Sequence, residues 1–179
     1  MSAANLRMNN KRNQYRNQYH LICRVISICL CALFCLSFGC TSKKEERLQQ
    51  IRSLFDLDGI TIYSESGAQL VCRNGNYMVE VPDERGLFED EKYLALFGDD
   101  DNFIESNTLK LRFQDPAAFA VMQKQEIGAS LQCLSRKEGV PNVIVNFDVF
   151  NRNRKWSDED ITLLTILGHC IGNLLNYSE

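Results

Sequence analysis

The stretch Asn142–Leu175, NVIVNFDVFNRNRKWSDEDITLLTILGHCIGNLL, decides the fold. It opens with a strand of period two. Val143, Val145, Phe147 and Val149 fall on one face, and Ile144, Asn146, Asp148 and Phe150 on the other, because successive side chains alternate. After a polar link and Trp156 the period changes. Ser157 is placed as an N-cap, and Asp158, Glu159 and Asp160 fill the first turn, where the helix dipole favours negative charge. Ile161, Leu164, Leu167, Ile171, Leu174 and Leu175 then recur at helical spacing. The spacing predicts a long terminal helix whose apolar stripe covers the apolar face of the strand. Gly168 and Gly172, four apart, allow a close approach.

Working outward, residues 43–56 read as a helix carrying Leu48, Ile51, Leu54 and Phe55 on one stripe. Gly59–Glu65 and Gln69–Arg73 read as a hairpin around Ser66-Gly67, and a turn at Asn74–Asn76 leads into a strand at Tyr77–Val81. Residues 83–106 are irregular, with a short helix around Leu87, Phe88, Tyr93, Leu94 and Phe97 and an acidic loop at Asp99–Asn102. Thr108–Phe113 (TLKLRF) alternates and predicts a strand; Pro116 opens a short helix. Leu131–Ser135 is a further strand, joined to Val143–Phe150 by a turn at Gly139–Asn142. No repeat is visible. The sum is an α+β fold: five to six mostly antiparallel strands with the N- and C-terminal helices packed on one face.

The 179 residues carry a net charge of -3, unevenly spread. Residues 1–44 hold seven basic side chains and no acidic one; residues 45–179 hold 13 basic and 23 acidic, a balance of -10. Such a domain repels phosphate backbones, which disfavours nucleic acid as a partner. Five of eight cysteines lie in the first 40 residues, leaving Cys72, Cys133 and Cys170 for the domain. That is neither a disulfide scaffold nor a zinc site. His20 lies in the leader, and His169 beside Cys170 points elsewhere around its helix, so no metal site or catalytic triad is assembled. No cofactor is implied.

The leader is read separately. Val25–Gly39 (VISICLCALFCLSFG) is uncharged, follows a basic stretch and ends at Cys40-Thr41-Ser42. Basic region, apolar core and small residues describe a secretory signal. Leu36–Cys40 resembles the cleavage box of bacterial lipoproteins, in which the cysteine receives lipid. That resemblance implies a lipidated (palmitate-bearing) Cys40 and a polar tether at Thr41–Lys44. An uncleaved single-span anchor is the alternative. Either orientation puts the domain outside the cytoplasm, in the cell envelope, with basic residues inside. Residues 1–40 are thus a signal or anchor and 41–178 the domain.

The quoted C-terminal stretch also resembles the closing segment of GAF domains: long apolar strand, polar link, Trp156, the Ser157–Asp160 helix start and the Leu163–Leu175 helix. The N-terminal helix and the first hairpin fit the same pattern. The resemblance implies a small-molecule pocket on the sheet face away from the terminal helices. There the candidates are Asn146 and Asp148, with Phe150 as an apolar wall. It also implies pairing through the terminal helices, for which Leu163, Ile166 and Cys170 supply surplus apolar width; a homodimer is one reading, and packing of these side chains against the domain's own loops is the other. The function expected is a non-enzymatic sensory or binding module for a small ligand or an envelope protein. Two alternatives stay open: a thiol enzyme resembling free methionine sulfoxide reductase, through Cys72 or Cys133, and a structural lipoprotein with no pocket.

Overall fold

The computed structural model describes residues 27, 41–64, 67–73, 76–78 and 85–178. Cys40 and, apart from Ser27, the apolar run Val25–Gly39 lie outside them, as do the Asn74-Gly75 turn and the end of the strand expected at Tyr77–Val81. Among the described residues no helix is long and apolar enough to cross a membrane.

Six strands form one sheet: β1 Gly59–Ser64, β2 Gly67–Arg73, β3 Asn76–Met78, β4 Asn102–Glu105, β5 Ile127–Lys137 and β6 Val140–Phe150. Their order is β3-β2-β1-β6-β5-β4, every neighbouring pair antiparallel. The long β5–β6 hairpin is its spine, turned by Glu138 and Gly139 at positive φ. Registers Thr61↔Asn146 and Gln132↔Asn146 align three polar residues across the middle of the sheet.

Helix α1, Thr41–Leu54, and helix α5, Asp158–Ser178, share one sheet face. Leu48, Ile51 and Phe55 meet Leu164, Leu167 and Ile171 over Val143, Val145, Phe147 and Val149, all buried. The alternation of β6 therefore sorts as its sequence predicts. Leu163 belongs to this core as well, so the outward apolar width of α5 narrows to exposed Ile166 and half-buried Cys170. Gly168 and Gly172 sit directly over Cys133 and Ser135 of β5. Thr41–Lys44 forms the first turn of α1.

The link between β6 and α5 is tied to the end of α1. Arg154 Nη1 donates to the carbonyls of Phe55 (2.6 Å) and Asp56 (3.0 Å), and Nη2 to Asp160 Oδ2 (3.0 Å). Its guanidinium stacks over the buried Trp156 ring at 4.5 Å. Ser157 Oγ accepts from Asp160 N at 3.0 Å and closes the first turn of α5, the cap its sequence announces.

The other sheet face carries short helices α2 Glu91–Leu94, α3 Leu111–Gln114 and α4 Pro116–Lys124. One expectation fails here, and one strand was not expected. Thr108–Phe113 is not a strand but a 3-10 turn running into α3. Thr108, Leu111 and Asp115 are buried together at helical spacing, while Leu109 and Phe113 face solvent. Asn107 Oδ1 accepts from Leu109 N, and Thr108 Oγ1 donates to Ile127 O at 2.7 Å, which holds the coiled form. The acidic loop, in turn, ends in an edge strand, β4. The main chain of Asn102 is occupied from the loop side: its carbonyl accepts from Gly98 N (2.9 Å) and its N–H donates to Asp100 Oδ1 (3.3 Å). At the other end Glu105 O accepts from Trp156 Nε1 and Ser106 O from Arg154 N.

Candidate functional site

Between the second sheet face and helices α2 and α4 lies a partly open cavity of about 20 Å³, room for one water-sized group. Tyr63, Gln132 and Asn146 line it from the sheet, Leu87 and Tyr93 from the segment before β4, and Ala118, Val121, Met122, Gln125 and Ile127 from α4 and the start of β5. Local chemistry sets these walls. Asp90 Oδ1 accepts from Lys92 N and Tyr93 N and starts α2. The Tyr93 ring is held edge-on by Phe97, with centroids 5.6 Å apart. Asp115 Oδ1 accepts from Ala117 N and Ala118 N, and Pro116 fills the first turn of α4.

A directed chain of hydrogen bonds runs from the cavity into the sheet. Tyr93 Oη donates to Gln132 Oε1 at 2.6 Å, Gln132 Nε2 to Ser130 Oγ at 3.2 Å, and Ser130 Oγ to Asp148 Oδ1 at 2.6 Å. All four side chains are buried. Asn146 Oδ1, also buried and on the cavity wall, has no hydrogen-bond partner. An unpaired buried carbonyl costs roughly 1–3 kcal/mol, so a group that would satisfy it is favoured there.

The three residues picked out from the sequence separate. Asn146 lines the cavity; Asp148 stands behind it, 1% exposed, at the end of the chain. Phe150 is half-buried, packs with the second-face core, and its ring fills the space beside Gly59, away from the cavity lining. Sequence reasoning misses Tyr63, Tyr93, Ser130 and Gln132. Gln132, a polar residue inside the apolar run Leu131–Leu134, is the signal that could have found them.

Cys133 lies on the opposite face, under α5, and burial pushes its thiol up to about 12, with Asp100 adding to the effect. A thiol so placed stays protonated and shielded, the reverse of a reactive cysteine. The side chain of Cys72 lies outside the described residues, and Cys170 and His169 are half-buried on α5. A larger groove, about 230 Å³, lies at the Asn151 end of the sheet beside exposed Leu109. Arg152 there is already paired with Asp56 and Asp58, and no lining side chain presents a buried unpaired polar atom.

No protein-family model matches the chain, and no curated protein matches it in sequence. Solved structures do resemble it. The chromophore-binding domain of Stigmatella aurantiaca bacteriophytochrome superposes with a TM-score of 0.65 at 15% identity, covering 89% of this chain and 60% of that one. GAF3 from Slr1393 of Synechocystis sp. PCC6803 gives 0.51 at 13% identity, covering 73% and 89%. The GAF domain region of a Geobacter sulfurreducens PCA protein gives 0.50 at 15%, covering 88% and 99%. The chain has a GAF-like fold: α+β, with an antiparallel sheet between two helical layers.

Proposed function

We propose that this protein is a membrane-tethered, non-enzymatic sensory module of the cell envelope that binds a small ligand on the second sheet face. The observation that carries the reading is the unpaired, buried Asn146 carbonyl on the wall of a partly open cavity. The structural neighbours support it, since they include a chromophore-binding domain with the same fold. Non-enzymatic status is proposed because the described cavity places no thiol, histidine or carboxylate at its surface. Tethering rests on the basic–apolar leader, through a lipidated Cys40 or an uncleaved span. The output passes to another protein, or to a second copy pairing through Ile166 of α5.

The small volume favours a second reading, a pocketless lipoprotein that binds only proteins. Native mass spectrometry of the full chain, purified in detergent from its own cells, separates the two. A copurifying small molecule lost in Asn146→Leu supports the ligand reading; a bare mass unchanged by extraction conditions supports the second. For the tether, Cys40→Ala should leave a precursor and remove fatty-acid labelling; retained labelling refutes lipidation at Cys40.

A further inference from the structure

We infer that the Asn151 end of the domain is a docking surface for an acidic segment of another protein, held by apolar side chains within that segment. The inference deepens, and rests on, the reading of the protein as a tethered module whose output passes to a partner. Phe113 is 87% exposed and Leu109 57%. They stand four residues apart on the coiled stretch Thr108–Gln114 and lie on one side of it. Neither holds the fold, because Thr108, Leu111 and Asp115 anchor that stretch from its buried side. Leu109 also lines the groove of about 230 Å³, together with the carboxamides of Asn107, Gln123, Asn151 and Asn153. Such groups both donate and accept hydrogen bonds, as the main chain of a docked segment requires.

The charge around this patch is opposite to that of the domain. Residues 106–125 carry Lys110, Arg112 and Lys124, and their one carboxylate, Asp115, is buried as the cap of α4. Lys110 is exposed and comes no nearer to Glu105 than 3.6 Å. Arg112 and Lys124 are exposed, and among the described residues no ion pair engages either. The rest of the surface belongs to a domain with a balance of -10. A short acidic segment senses charges within about 8–10 Å, so it is attracted here and repelled elsewhere. A long phosphate polymer would meet the negative surface as a whole. A bilayer holding the leader lies at the other end. The end of α1 is tied here by Arg154, through the carbonyls of Phe55 and Asp56, and Thr41 begins that helix about 20 Å away.

A phage-displayed library of random peptides, selected against the full chain in nanodiscs, tests this. Enriched peptides should combine Asp or Glu with Leu, Phe or Trp. Phe113→Ser and Arg112→Glu should each weaken an enriched peptide by about tenfold, and a Lys-for-Glu version of the peptide should recover binding to Arg112→Glu. Val140→Ser, an equally exposed apolar residue at the far end of the sheet, should change nothing. The substituted side chains face solvent, so circular dichroism should report an unchanged fold. Enriched peptides without acidic residues, enriched peptides indifferent to Phe113→Ser, or no enrichment at all would each overturn the inference. So would flotation of the nanodiscs with phosphatidylglycerol vesicles that Phe113→Ser abolishes, or self-association that it abolishes, since the occupant would then be a lipid surface or a second copy. Fatty-acid labelling of Cys40 reports on the tether separately, so failure of the docking surface and failure of the tether are distinguishable.

Discussion

Gly168→Ala is the sharpest test of how the terminal helix sits on the sheet. A Cβ built there would stand 2.5 Å from Cys133 Sγ and 2.7 Å from Cys133 Cβ, with Phe147 Cε2 at 3.3 Å. The sulfur could rotate, but the Cys133 Cβ is fixed to β5. Relief therefore requires α5 to step back by roughly half an ångström or more, which forfeits about a quarter to a half of each dispersion contact it makes. Leu164, Leu167 and Ile171 would all lose contacts. Such overpacking costs about 1–3 kcal/mol, and the fixed obstacle places it at the upper end. Against this, alanine gains about 1 kcal/mol of helix propensity over glycine. The net is a loss of about 2 kcal/mol, or roughly 4–8 °C in melting temperature for a chain of this size. Urea denaturation read through Trp156, the chain's single tryptophan, would measure it. Gly86→Ala, with nothing within 4 Å, is the control and should change little. A Gly168→Ala protein as stable as the parent, or more so, would refute the close contact between α5 and β5.

Three further outcomes follow from the same contacts. Ser157→Ala removes the α5 cap and should cost about 1 kcal/mol in the same denaturation assay; no loss would mean the Asp160 N–H is satisfied otherwise. Arg154→Ala deletes three hydrogen bonds and the stacking on Trp156, so a loss of about 2–3 kcal/mol is expected, with a change in Trp156 emission that Ser157→Ala does not cause. The Cys133 thiol, held up to about 12 against an unfolded value near 9, makes the unfolded chain release its proton first as pH rises. Its stabilising contribution is intact below about pH 9 and falls by up to about 1.4 kcal/mol per unit between about 9 and 12. Cys133→Ala should flatten that alkaline limb, and an unchanged slope between parent and variant would contradict the burial of the thiol.

The sequence carried the fold best where one residue class served one purpose. Val143, Val145, Phe147 and Val149 alternate because one face is dry, and the Ser157 cap with its acidic turn marks a helix start that packing does not override. Legibility failed where two periods fit the same letters. In Thr108–Phe113 the alternating Leu109, Leu111 and Phe113 mimic a strand, yet only Leu111 is buried, and it pairs with Thr108 and Asp115 at helical spacing. The four-residue β4 was hidden because its pairing partners on β5 lie about thirty positions away in the chain. The cavity was half legible. Asn146 and Asp148 stood out as polar residues on a strand, but their separation into wall and rear support depends on Ser130 and Gln132, which register brings alongside. Tyr93 reaches the same place through a helix of four residues, with no periodicity to announce it.

The closure of β4 has a bearing on life at high local density. An edge strand with open main-chain groups is a template on which a neighbouring copy can extend the sheet, and attachment to a surface would multiply such encounters. Here the strand is only four residues long. Gly98 and Asp100 occupy the main chain of Asn102, while Trp156 and Arg154 hold the carbonyls of Glu105 and Ser106. The ladder left for a second molecule is too short to seed a continuous sheet. The residues that dock the terminal helix thereby also occupy main-chain acceptors at this edge, leaving fewer of them for a neighbouring copy.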